Sequence, residues 1–239
     1  MNLKNKVVII TGASQGLGKA IALKLSKEGA KVALVSRTEK LLQEVKNEIV
    51  KSGGVAEYFI CDIVNEKQIE KTVKNIIIKF GAIDILVNNA GVWTDENLEK
   101  EHPEFRKKAF EVNTLGHINF TYAVLPYFQD QNSGHIFNVI SNAGLLEKDN
   151  VRWKSYAATK HAMTGFTKTL RDSLVTTKIK VTGFFPGGID TNLYENVGRV
   201  DAHNQPWMMK AEDVADCVAF ALTRPDEILI ESIVISKKI

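Results

Sequence analysis

The sequence has little with which to cross-link a fold or hold a metal. It carries two cysteines, Cys61 and Cys217, in 239 residues, and neither belongs to a Cys-x-x-Cys pair or sits near a histidine cluster. That usage excludes a disulfide framework and the common zinc-site spacings, and it predicts two buried free thiols in a reducing compartment. Long apolar runs are also missing. The N-terminal run Val7–Ile10 is too short for a signal-peptide core or a membrane span. It reads as a buried first strand, with the cytoplasm as the default location and no membrane as a partner. A charge of one sign is equally absent. Lysine plus arginine number 31 against 28 acidic residues, a net +3, and the lysines are scattered along the chain. This is not the footprint of a nucleic-acid binder. There are five prolines, and no linker, repeat or low-complexity segment divides the chain.

What is present is the make-up of an ordinary globular protein, 44% hydrophobic and 25% charged. The length suits one large α/β domain or two small ones, and the lack of a linker points to one domain over 1–239. Short apolar runs alternate with longer amphipathic stretches. Val7–Thr11, Lys31–Ser36, Ala56–Cys61, Ile83–Asn88, His135–Ile140, Lys180–Phe185 and Leu229–Ile235 read as strands. Leu17–Glu28, Glu39–Lys51, Glu66–Phe80, Pro103–Gln129, Ser155–Thr176 and Ala211–Thr223 read as helices. Regular alternation predicts a seven-stranded parallel sheet with helices on both faces, and strands without polar alternation suit such doubly buried positions. Asp62 and Asn65 are candidate caps for the third helix, and Gly81 its stop. The irregular stretch 191–210, with its apolar group Trp207, Met208 and Met209, is a candidate substrate lid.

Thr11-Gly12-Ala13-Ser14-Gln15-Gly16-Leu17-Gly18 follows the first strand and opens the first helix. There Gly12 permits a tight turn, Gly16 lets backbone approach a pyrophosphate, and Gly18 lets the helix pack closely on the strand. The spacing is GxxxGxG rather than GxGxxG. After the second strand stands Ser36-Arg37-Thr38, with no carboxylate to accept from a ribose. Arg37 is a fork-shaped cation suited to a 2′-phosphate, and Ser14, Ser36 and Thr38 are hydroxyl donors, so the expected dinucleotide is NADP(H). Asp62 follows the third strand, either to accept from an adenine amino group or only to cap a helix. Asn88-Asn89-Ala90-Gly91 follows the fourth, where Ala90 and Gly91 keep the cleft floor small.

Tyr156 and Lys160 are spaced to share one helix face, a turn apart. A phenol with pKa near 10 is almost wholly protonated at neutral pH. An ammonium ~4 Å away at an effective dielectric of ~20 is worth about 4 kcal/mol, or roughly three pKa units. The pair is therefore expected to bring Tyr156 toward working pH, where an acid/base is most useful. Tyr-x-x-x-Lys alone is weak, because lysine is common in this chain.

Taken in order, the glycine turn, Asn-Asn-Ala-Gly, Ser141-Asn142-Ala143-Gly144 and the Tyr156/Lys160 pair make nearly the whole chain resemble the one-domain short-chain dehydrogenase/reductase family. The resemblance implies a doubly wound, Rossmann-type α/β fold and an NADPH-dependent reductase acting on a ketone, of general carbonyl or 3-oxoacyl type. Ser141 would hydrogen-bond the carbonyl oxygen and Tyr156 would protonate it. Lys160 would tune the tyrosine and bind ribose hydroxyls, and Asn113 would hold a relay water. The cofactor contacts implied are Gly12, Ser14, Gln15, Gly16, Leu17, Gly18, Ser36, Arg37, Thr38, Asp62, Ile63, Asn89, Ala90, Gly91, Tyr156, Lys160, Pro186, Gly187, Ile189 and Thr191. Among these, the Ile189 backbone and the Thr191 hydroxyl would grip the carboxamide. A homodimer or homotetramer is implied, through the long helices.

Two departures bear on substrate and cofactor. The Ser141–Tyr156 interval runs about two residues beyond the family pattern, and Gln15 stands where many NADPH users carry a cation. The C-terminus also lacks the glycine-rich ending of acyl-carrier-protein ketoreductases. The expected pocket is apolar and aromatic, drawn from Trp93, Leu145, Leu146, Trp153, Phe185, Leu193, Tyr194, Trp207 and Met208. A non-catalytic NADP-binding regulator is the rival reading, which the full Ser/Tyr/Lys set disfavours. A sugar-nucleotide epimerase relative would need a larger C-terminal domain.

Overall fold

The computed structural model describes residues 2–94, 103–145, 154–197 and 203–238. Seven strands, β1 (Val7–Thr11), β2 (Lys31–Ser36), β3 (Val55–Ile60), β4 (Ile85–Asn88), β5 (Gly134–Val139), β6 (Ile179–Pro186) and β7 (Ser232–Ile235), form one sheet in the order β3-β2-β1-β4-β5-β6-β7. Every pairing is parallel. The apolar runs become strands because both faces of the sheet centre are covered. Along β1, Val8 and Ile10 face one core, packed with Ile21 and Leu25, while Val7 and Ile9 face the other, packed with Phe120 and Phe128. The period of two thus assigns neighbouring residues to opposite cores.

Among the described residues seven α-helices cover these faces: α1 (Gly16–Lys27), α2 (Glu39–Lys51), α3 (Glu66–Phe80), α4 (Pro103–Phe110), α5 (His117–Gln131), α6 (Lys154–Ser173) and α7 (Ala211–Leu222). Helix α2 buries Leu42, Val45 and Ile49, one stripe at helical spacing. At the start of α3, Asn65 Oδ1 accepts from the Gln68 amide at 3.1 Å, and Gly81 ends it at φ 82°. Asp62 instead accepts from the Val64 amide at 3.2 Å, a turn-forming bond before the helix. A buried amide chain ties the sheet centre to the helices. Asn88 Nδ2 donates to Thr121 Oγ1 (3.0 Å) and Asn138 Oδ1 (2.9 Å), and Asn138 Nδ2 donates to Thr167 Oγ1 (2.9 Å). Such bonds in a dry core fix the register of β4 against β5.

Three expectations need correction. The continuous helix expected over Pro103–Gln129 is broken by a π-helical segment, Glu111–Gly116. The wider turn lets Gly116 sit against Ile63, where a Cβ would come within 2.8 Å of that side chain, and turns Asn113 inward. The last strand is shorter than expected, Ser232–Ile235. The residues before it lend their carbonyls to side chains: Thr182 Oγ1 donates to Ile230 O at 2.6 Å and Lys180 Nζ to Ile228 O at 3.0 Å. Cys61 is buried as expected, but Cys217 is only half-buried on α7.

Candidate active site

The chain crosses over between β1 and β4, so the loops after these two strands part and leave a crevice at their C-terminal ends. A cleft of about 600 Å³ runs through it, from Arg37, Thr38 and Leu41 past the β1–α1 turn to Ser141, Tyr156 and Lys160. Every catalytic and cofactor residue named from the sequence lines this cleft except Asn113, which lies fully buried behind it.

The β1–α1 turn is built for close approach. Gly12 has φ +67°, and a Cβ there would stand 2.8 Å from the Ala90 Cα; a Cβ on Gly18 would stand 2.2 Å from the Gly12 carbonyl oxygen. Helix α1 begins without a side-chain cap and without an acidic residue in its first turn. Its first amides and the positive end of its dipole therefore remain open to the cleft, a donor set that fits a pyrophosphate. Asn89 holds this turn rather than reaching out from it: Nδ2 donates to Thr11 O at 2.9 Å and to Gly12 O at 3.5 Å. Thr11 Oγ1 accepts from the amides of Asn89 (2.9 Å) and Ala90 (3.1 Å), a brace that sequence reasoning missed. Its only signal was a polar residue closing an apolar strand. Arg37 is exposed at the rim and forms no hydrogen bond or ion pair with another described residue, and Ser36 Oγ donates to Ser14 Oγ at 3.0 Å beside it. That is a fit for an added anion, a cation with free donors next to paired hydroxyls.

At the opposite end Ser141 follows β5 and caps the short turn Asn142–Gly144, its Oγ accepting from the Ala143 amide at 3.1 Å. Tyr156 and Lys160 project from the first turns of α6, with Lys160 Nζ 5.5 Å from the Tyr156 ring centre. Both are buried, at 6% and 4% exposure, and this overturns the expected electrostatics. Burial pushes the Tyr156 pKa up, with the hydrogen bond to Ser141 pulling weakly the other way. Burial also brings Lys160 down, to about 8. Desolvation disfavours the charged form of each group, and with both taken out of water it outweighs the attraction reckoned from spacing alone.

Asn113 sits on the π-helical segment. Its Oδ1 accepts from the Val92 amide (2.8 Å), and Nδ2 donates to Val92 O (2.9 Å) and Thr159 Oγ1 (3.3 Å). Both amide hydrogens are used, and Oδ1 keeps one lone pair beyond its bond from Val92. Nearby His117 Nε2 lies 2.6 Å from the Ala90 carbonyl, which can only accept, so Nε2 carries the proton. Burial first, then Lys160, lowers this imidazole to about 3, so it stays neutral. His117 was also missed. Nothing in its local sequence separates it from a surface histidine.

The substrate end is narrower in membership than expected. Trp93, Leu193, Tyr194 and Trp207 line it. Phe185 and Met208 are core residues at 3% and 4% exposure, and Phe185 packs with Ile140 and Met163. Leu145 is exposed outside the lining, and Leu146 and Trp153 fall outside the described residues. The two ends of 191–210 are joined. Asp190 N donates to Met209 O and Met209 N to Gly188 O, each at 2.9 Å. His203 Nδ1 lies 2.7 Å from Asp190 Oδ1, and Nε2 lies 3.3 Å from Glu195 Oε1.

A profile described as short chain dehydrogenase matches residues 6–201. The chain belongs to the short-chain dehydrogenase family. An uncharacterized oxidoreductase of Staphylococcus epidermidis is 35% identical over 234 residues, covering 98% of this chain and 97% of that one. The solved alcohol dehydrogenase of the archaeon Thermococcus sibiricus, complexed with 5-hydroxy-NADP, superposes with a TM-score of 0.88 at 25% identity, over 97% of this chain and 96% of that one. Actinorhodin polyketide ketoreductase with NADPH superposes at 0.85 and 27% identity, over 96% and 95%. This short-chain dehydrogenase is thus an oxidoreductase with a Rossmann-type sheet, and its cleft offers what a nicotinamide dinucleotide needs. Among the described residues no helix is long and apolar enough to cross a membrane.

Proposed function

We propose that this short-chain dehydrogenase reduces a ketone to an alcohol with NADPH, with Tyr156 as proton donor. The observation that carries the proposal is one continuous cleft with an uncapped helix and Arg37 at one end and Ser141, Tyr156 and Lys160 at the other. When bound, the dinucleotide supplies the hydride, and that chemistry is its own. The chain's part is placement and the proton. Tyr156, raised by burial, holds its proton firmly, which suits the reductive direction, in which it must enter as the acid. Ser141 stands beside it to share the developing oxyanion. Lys160, at about 8, is still mostly charged at neutral pH and supports both that oxyanion and the ribose hydroxyls. Asn113 braces Val92 and Thr159 beneath them, and the Ile189 backbone and Thr191 hydroxyl take the carboxamide. From the two described parts of 191–210, Leu193, Tyr194 and Trp207 meet the substrate, and the expected assembly is a homodimer or homotetramer in the cytoplasm.

The test is Tyr156→Phe assayed by NADPH oxidation. Loss of a positioned general acid should lower kcat by about 10²–10⁴-fold, with the Kd for NADPH held within about threefold. A variant that keeps most of its kcat sinks the assignment. NADPH binding without turnover on any ketone would leave a dinucleotide-binding regulator instead.

A further inference from the structure

Four aromatic rings run in contact along the substrate end of the cleft. Trp93 lies 4.5 Å from Tyr156 between ring centres, tilted 49°, and 5.1 Å from Tyr194 at 67°. Tyr194 in turn meets Trp207 edge-on, at 6.1 Å and 88°. Trp93 is 9% exposed and packs directly against the proton-donor ring, and both residues line the cleft. Trp207 stands at the mouth with 39% of its surface open, although its ring is held against Gly188, where a Cβ would come within 2.1 Å. A large, pinned and half-open indole at the end of a ring array is unfinished packing that a ligand can complete. Leu193 adds an aliphatic contact to the same group.

We propose that Trp93, Tyr194 and Trp207 form an aryl-recognition wall, and that the substrate is a ketone bearing a flat aromatic group beside its carbonyl. The inference rests on the carbonyl reduction proposed above and narrows it. Ring placement beside Trp93 and Tyr194 adds offset or edge-on contacts beyond simple burial of area, which a saturated ring of the same size does not make. Trp93 is then the specificity-determining residue nearest the reacting oxygen, and Trp207 closes the far side.

The experiment compares kcat/KM of the full chain for acetophenone and for cyclohexyl methyl ketone, equal in size but saturated, with NADPH. Conjugation makes the aryl ketone the less electrophilic of the two, so a preference for it reports recognition. The expected ratio is about tenfold or more in favour of acetophenone, from two ring contacts. In Trp93→Leu, which removes one of the two contacts, the aryl ratio should fall by about threefold, while Trp93→Phe keeps most of it. A wild-type ratio near one, or a Trp93→Leu enzyme that retains the full ratio, overturns the inference. If ketones are turned over without aryl preference, the reductase reading survives and this one fails. If no ketone oxidises NADPH, the reductase reading fails first.

Discussion

On the proposed reading, Arg37 is the residue on which the choice of NADPH turns. It is exposed at the cleft rim beside the Ser36–Ser14 hydroxyl pair, with Gln15 supplying no second cation. A charge-assisted contact to a phosphate is worth about 1.5–3 kcal/mol. Arg37→Ala should therefore cut the NADPH-over-NADH preference in kcat/KM by roughly 10- to 100-fold, chiefly through KM for NADPH. An unchanged preference would move phosphate recognition elsewhere in the cleft. Tyr156 and Lys160 teach the complementary lesson. Their spacing was legible in the sequence and their burial was not, and burial decides the sign of the tyrosine shift. Trp93 was legible only as an aromatic near a strand end, because its partners Tyr156 and Tyr194 lie far along the chain.

Among the elements, the segment after β6 carries its own electrostatic latch. His203 faces carboxylates with both ring nitrogens, and these bonds, Asp190 before Glu195, raise its pKa above 6.5, while His203 lowers that of Asp190 below 3.8. The raised histidine contributes stability that is whole below its unfolded pKa and is lost as pH rises through the folded value. The lowered aspartate contributes stability present above its unfolded pKa and lost as pH falls through the folded value. The latch is thus strongest between the two ordinary values. The difference in Tm between the wild type and His203→Gln should be larger near pH ~5.5 than near pH ~8.5. An equal difference at both pH values would mean that the histidine is not cationic in the bridge. The π-helical segment Glu111–Gly116 is the element the sequence did not announce. Its residues are compatible with an α-helix, and what accompanies the wider turn are long-range contacts, of Asn113 with Val92 and Thr159, of Thr114 with Thr159 and of Gly116 with Ile63.

Over the whole molecule, protection falls from the sheet centre to its edges. β1, β4 and β5 are buried along their full length, whereas β3 is mostly half-exposed and β7 alternates between exposed and half-buried. Opening free energies follow burial of this kind. Amide hydrogen exchange should be slowest in β1, β4 and β5 and fastest among strands in β7. Protection of β7 equal to that of β5 would show that another surface covers this edge, where Val234 is 59% exposed.

The sequence by itself determined the class of fold and the ends of the cleft. Apolar runs of strand length between amphipathic helices admit little besides a parallel sheet, and ligand loops follow its C-terminal strand ends. Short-range patterns also carried the glycine turn, Arg37 and the Tyr156/Lys160 face, because turn and helix geometry are local. Tertiary structure alone decided which aromatics line the cleft and which, like Phe185 and Met208, fill the core. It also decided that Asn89 and Thr11 brace the turn and that desolvation governs Tyr156. Each of these depends on neighbours brought close from distant parts of the chain, and water excluded by that packing is a property no local pattern encodes.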